Sequence, residues 1–235
     1  MKRALVLAGV MLALGAAQVS AQLFYDPYYN LIENGKTGAA AVGINNTDLA
    51  GIDDATDVMA MGRFAFSGQI EMGALVSLGM LREDADSFQK LLVGGKFGMT
   101  KRSAATFNVL VPVGAVDDPG VAVGYMRTFE SGSWIDLDTH AQLALLKGYA
   151  PQGSVVDLLV ELTGPLGASE KVTGHIGFLT SSNTDDIGDN LAINCWPNVD
   201  IKLGKATINI GASIGLAGKK NQNDLGMKAF FIMAM

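Results

Sequence analysis

The sequence predicts an all-β chain, a closed antiparallel up-and-down transmembrane β-barrel of about twelve strands. Three observations predict it. Segments that alternate apolar and polar residues recur along nearly the whole length. The connections between these segments are short and long by turns. Mean hydropathy is positive, at +0.28, yet beyond the N-terminal residues no run approaches the roughly 18 apolar positions of a membrane helix. A barrel reconciles those facts. Only alternate residues need be apolar, and every backbone group is paired between strands.

The N-terminus reads as an export signal over residues 1–21. Lys2 and Arg3 make a positive start, Ala4 to Ala17 is an uncharged and mostly apolar run, and Val19-Ser20-Ala21 supplies the small residues of a cleavage site. Cleavage there starts the mature chain at Gln22. Export is expected through the Sec pathway to the outer membrane. Lys2 and Arg3 leave with the signal, so the 17 basic residues become 15 against 23 acidic ones, and the net charge moves from −6 to −8. That balance excludes a nucleic-acid partner, which needs a basic face. Residues 22–35, with Phe24, Tyr25, Tyr28 and Tyr29, read as a periplasmic or plug segment ahead of the barrel proper, 36–235. The one cysteine, Cys195, allows no internal disulfide.

Alternation is cleanest in Ala206 to Leu216. Ile208, Ile210, Ala212, Ile214 and Leu216 take one face, and Thr207, Asn209, Gly211, Ser213 and Gly215 the other. The same pattern runs through Gln69 to Met80, Val156 to Thr163 and Leu191 to Leu203, where Cys195 falls in the apolar register. The strands are predicted at 36–45, 57–66, 69–80, 90–99, 104–113, 121–129, 134–146, 154–163, 171–180, 191–203, 206–217 and 226–235. Tilted strands of this length rise about 25 Å, the height of a barrel's apolar band. Pro197 lacks a ladder donor, and a bulge is expected there.

Tight turns are predicted at Ser67-Gly68, Thr100 to Arg102, Ser131-Gly132 and Gly204-Lys205, with a longer one at Gly164 to Glu170. Between them fall long acidic loops at 46–56, 81–89, 114–120, 147–153, 181–190 and 218–225, carrying Asp53-Asp54, Glu83-Asp84, Asp117-Asp118 and Asp185-Asp186. The even strand count puts both ends on the side of the short turns. No EF-hand spacing is present among the acidic pairs.

Taken together, the signal, the alternation, the even count and the loop sorting resemble the bacterial outer-membrane β-barrels, porin-like in broad type. The resemblance covers 36–235 and rests on architecture. It implies outer-membrane lipid around the barrel and a barrel-assembly machinery that reads the last strand. Such barrels often end on an aromatic residue. This chain ends Phe230-Phe231-Ile232-Met233-Ala234-Met235, with Phe231, Met233 and Met235 in one register.

The polar register then faces the lumen. Gly73, Ser77, Gly79, Gly94, Gly98, Gly177, Gly211, Ser213 and Gly215 line it thinly, so a wet and poorly filled interior is expected. The candidate lumen charges are Arg63 and Lys96 on one side, and Asp136, Asp138, Asp157, Glu161 and Asp200 on the other, with Glu71 and Lys202 blurring the separation and His140 and His175 in the same register. Opposed charges would orient polar solutes and favour cations. No catalytic constellation appears: there is no G-x-S-x-G, and no His, Cys and Glu spacing suits a metal. No enzyme activity and no cofactor are expected. The reading is passive passage of small hydrophilic solutes. The alternatives are a plugged structural or adhesion barrel presenting acidic loops, and a soluble exported β-protein.

Overall fold

In the computed structural model the described residues are 38–49, 52–67, 69–79, 88–100, 102–114, 119–130, 135–146, 153–166, 171–184, 191–218 and 225–235. The signal at 1–21 and the segment 22–35 lie outside them. Twelve strands follow in chain order: β1 (Gly38–Leu49), β2 (Ile52–Ser67), β3 (Ile70–Gly79), β4 (Phe88–Thr100), β5 (Ser103–Val111), β6 (Gly120–Glu130), β7 (Asp136–Leu146), β8 (Gly153–Pro165), β9 (Val172–Asn183), β10 (Ala192–Leu203), β11 (Ala206–Ala217) and β12 (Leu225–Ala234). Each strand pairs antiparallel with its sequence neighbours, and β1 pairs with β12 from Ala39↔Ala234 to Asp48↔Leu225, so the sheet closes on itself. The predicted all-β, closed up-and-down barrel is therefore the observed fold. Closure matters energetically because it leaves no unpaired edge.

Period-two alternation decides which way each side chain points. On β6 the even residues Ala122, Met126 and Thr128 are buried, while Val121, Val123, Tyr125 and Phe129 are exposed. In a barrel the buried register faces the lumen and the exposed one forms the outer wall. That wall is apolar all round, with Ile44, Phe64, Phe97, Val123, Leu143, Leu158, Ile176, Ile210 and Met227 among its members. A wall of this kind suits lipid and would be far larger than the apolar patches that soluble monomers expose. Phe64 and Phe66, whose rings lie 5.6 Å apart, stand with Phe97 and Phe129 near the end that carries β1's start and β12's finish. We call this the turn end and the opposite one the loop end. Phe231, Met233 and Met235 are all exposed on the outer wall.

The connections depart from the expected sorting in three places. β1 and β2 stay paired as far as Leu49↔Ile52, with a bulge at Thr47/Leu49, so most of the loop expected at 46–56 is strand and Asp53-Asp54 belong to β2. Backbone pairing has overridden the acidic sequence there. The connection expected as a tight turn at Ser131-Gly132 spans 131–135, because β6 ends at Glu130 and β7 begins at Asp136. The loop expected at 181–190 starts later, since β9 continues to Asn183. Gly204 has a φ of 70°, the left-handed value a two-residue hairpin turn needs, and it joins the partners Leu203 and Ala206 directly. The acidic pairs Glu83-Asp84, Asp117-Asp118 and Asp185-Asp186 lie outside the described residues.

Pro197 does not make the expected bulge. Its partner on β9 is Ile176 in unbroken register, and pairing with β11 passes from Cys195↔Ile214 to Asn198↔Gly211 without a shift. The irregularity sits four residues earlier, at Ile193/Asn194. The barrel absorbs a missing donor by skipping pairs, which costs less here than inserting a residue and inverting the inward register.

Candidate functional site

The interior is the candidate site, and its inward side chains fall into three neighbouring groups. The first spans β2 to β4. Glu71 and Lys96 are register partners, and Lys96 Nζ lies 3.1 Å from Glu71 Oε2 with both side chains almost fully buried. Arg63, also buried, stands opposite Gly73. A Cβ at Gly73 would come within 3.1 Å of the arginine's Cγ and 2.5 Å of the Gly62 carbonyl oxygen, so the neighbouring strand approaches closely at this glycine.

The second group crosses β5 to β9. Thr128 donates to Asp138 Oδ1 at 2.6 Å, and Thr106 Oγ1 meets His140 Nε2 at 3.1 Å by reaching over β6. Gly124 makes that reach possible, because a Cβ there would sit 2.6 Å from Thr106 Oγ1 and 2.7 Å from the histidine nitrogen. One step toward the loop end, Asn108 Nδ2 donates to Gln142 Oε1 at 3.2 Å, and Gln142 Nε2 donates to Asp157 Oδ2 at 3.3 Å. Ser181 completes the row by donating to Asp157 Oδ1. Asp138 and His140, which share a face two residues apart, bond to different threonines.

The third group joins β8 to β12. His175 stands between two carboxylates, with Nδ1 at 3.1 Å from Glu161 Oε1 and Nε2 at 3.4 Å from Asp200 Oδ2. Thr163 supports the first, donating to Glu161 Oε1 at 3.3 Å, and Asn209 the second, donating to Asp200 Oδ1 at 2.6 Å. Lys228 lies within electrostatic reach of both acids and places Nζ 5.4 Å from the ring centre of Trp196, whose Nε1 donates to Ser213 Oγ at 3.0 Å.

Of the residues singled out from sequence, Arg63, Glu71, Lys96, Asp138, His140, Asp157, Glu161 and Asp200 are buried inside the barrel, and His175 is nearly so. Asp136 is half-buried at the turn end, where it pairs in register with Thr163, and Lys202 is exposed on the same rim. Charges of opposite sign meet on neighbouring strands, as Lys96 meets Glu71. Sequence reasoning passed over Lys90 and Lys228. Lys90 shares the parity of Lys96 along β4, which is the signal that places it inward.

The lining is fuller than expected at two of these glycines: Glu161 and Trp196 lie over Gly177, and Asn198 and Lys228 over Gly211. Leu75, Leu92, Leu110, Met126, Leu159, Leu179 and Trp196 fill much of the remaining wall. Large and small side chains alternate across the strands there, so Gly177 and Gly211 mark places that other residues occupy. Among the described residues no three His, Cys, Asp or Glu side chains are placed to hold a metal ion.

No protein-family model matches this chain, and no curated protein does. Solved structures do. The KdgM porin in complex with disordered oligogalacturonate superposes with a TM-score of 0.61 at 6 % identity, covering 83 % of this chain and 99 % of the porin. The NanC porin gives 0.60 at 8 % identity, with the same coverage of both chains. An outer-membrane channel from Pseudomonas putida F1 gives 0.59 at 10 % identity, covering 85 % of this chain and 96 % of the channel. At such identities the likeness is one of fold, and the chain has the closed-barrel fold of outer-membrane porins.

Proposed function

We propose that the protein is an outer-membrane, porin-like channel that passes small hydrophilic solutes passively, without enzymatic activity. The observation that carries this reading is the division of the barrel wall: a continuous apolar exterior around an interior of charged and amide side chains. A barrel serving only as a membrane anchor gains little from burying Arg63, Lys90, Lys96, Asp138, Asp157, Glu161 and Asp200 inside, since taking charge out of water is costly even where it is paired. A polar solute path does need such groups. The porins and channel of similar fold agree with it. Export through the Sec pathway, insertion by the barrel-assembly machinery and contact with outer-membrane lipid follow from the same reading.

Buried inward carboxylates modestly outnumber the buried bases, which supports a mild preference for cationic over anionic solutes. The competing reading is a sealed structural barrel, favoured by the near-complete burial of Glu71, Leu75 and Met126. Recording from the folded protein in planar bilayers separates the two. Discrete current steps with a reversal potential displaced toward the cation are the expected result, and a silent membrane supports the sealed barrel.

A further inference from the structure

The lumen wall is not polar throughout. Met59 on β2, Leu75 on β3, Leu92 on β4, Leu110 on β5 and Phe230 on β12 form one buried apolar cluster, which alanines and Val155 carry on across β6 to β8. Leu75, Leu92 and Leu110 stand side by side as successive register partners. Leu110 is one residue from the loop-side end of β5, and Val155 is two from that of β8. The cluster is thus a belt inside the barrel, close to the loop end on β5 and β8 and mid-strand on β2 and β12, with the Glu71–Lys96 pair and the row from Asn108 through Gln142 to Asp157 on its turn side. Barrel lumens are polar as a rule, and the sheet ladders hold this barrel closed without any such belt.

Two polar atoms border the belt with bonding capacity to spare. Ser77 Oγ and Asn108 Oδ1 are buried and, among the described residues, have no hydrogen-bond partner. Ser77, fully buried at 0 % exposure, is the register partner of Met59. Asn108, at 2 % exposure, lies two residues from Leu110 on the same face and commits its amide nitrogen to Gln142. Its oxygen is an acceptor without a donor, and a buried acceptor left unpaired is costly.

Resting on the channel reading above, we propose that this belt is the specificity-determining site of the passage and takes small amphipathic organic solutes. The apolar part of the solute lies on Leu75, Leu92 and Leu110, and a hydroxyl or ammonium group donates to Asn108 Oδ1. The physical reason is asymmetric. A hydrated ion or a fully hydroxylated sugar must shed water against leucine side chains with nothing in exchange. An apolar group leaves water at that same step and gains by it. The donor requirement adds the selectivity that a purely apolar ring lacks.

The test is osmotic swelling of liposomes that carry the full, folded chain, in isosmotic leucine, serine or glucose, paired with KCl conductance in planar bilayers. Leucine is the larger amino acid, so size alone would make it slower than serine. Leucine is expected to enter on the order of tenfold faster than serine, within the range that a few methylenes supply in an apolar site. Leu92→Ser is expected to abolish that preference and raise KCl conductance. Asn108→Ala is expected to slow leucine without speeding serine. Equal entry of leucine and serine into wild-type liposomes overturns the proposal and leaves the channel reading standing. Entry of no solute at all removes both. Should a variant fail to fold, the wild-type ratio still decides.

Discussion

Two residues carry most of the local logic. Glu71 and Lys96 are an ion pair taken almost wholly out of water, so removing one takes a counter-charge from the other. Glu71→Leu is expected to destabilise the barrel by about 3–5 kcal/mol, and the double variant with Lys96→Leu to recover most of that loss. Denaturant titration in detergent, with the refolded fraction read by gel migration, checks both. Gly124 is the counterpart on β6, two strands farther along the wall. Its missing side chain lets Thr106 reach His140 over β6. Gly124→Ala is expected to cost about 1–3 kcal/mol, because the added carbon also meets the Ala141 carbonyl oxygen at 2.8 Å. An unchanged unfolding midpoint would show that the wall has slack at this point.

At the scale of the element, two glycines with left-handed backbones separate strain from crowding. Gly204 has a φ of 70°, and a Cβ added there would meet no neighbour within 4 Å. At Gly218, with a φ of 112°, the same carbon would lie 2.0 Å from the Leu191 carbonyl oxygen. Gly204→Ala is therefore expected to cost only the conformational term, about 1–2 kcal/mol. Gly218→Ala must in addition move the backbone at the start of β10 and is expected to cost more. Unfolding midpoints of the two variants, compared directly, measure the difference. These turns also show which local signals can be read in advance. Gly204-Lys205 is legible because a two-residue hairpin demands a positive φ. The β1–β2 extension is not, because its acidic residues look like loop and only pairing with the partner strand makes them sheet. Pro197 misleads for a related reason: proline removes one donor, but the register of β10 is held by its other partners.

For the whole molecule, alternation alone places the outer wall and most of the inward charges, because the side-chain period of a strand is exact. Arg63, Glu71, Lys96, Asp157 and Asp200 follow from parity. Parity does not say which of them touch, since contacts such as Lys96 to Glu71 depend on register between strands. The apolar belt is hidden for a further reason. Each of its leucines looks like an ordinary hydrophobic residue until strand pairing sets Leu75, Leu92 and Leu110 in one row. The outer wall yields its own prediction. Ile176, 49 % exposed near the middle of β9, faces lipid in an inserted barrel, so Ile176→Arg is expected to destabilise that state by about 2–4 kcal/mol. Folding titrations into lipid vesicles measure that cost, and a neutral effect would deny Ile176 a lipid-facing position.

The central claim is that small solutes cross the membrane through this barrel. Osmotic swelling of liposomes reconstituted with the folded chain tests it most directly, using solutes of graded size and folding verified by heat-modifiable migration. Swelling faster than in protein-free liposomes is expected for the small solutes, falling away as size increases. Swelling no faster than the protein-free control for every solute, from protein shown to be folded and inserted, would contradict it.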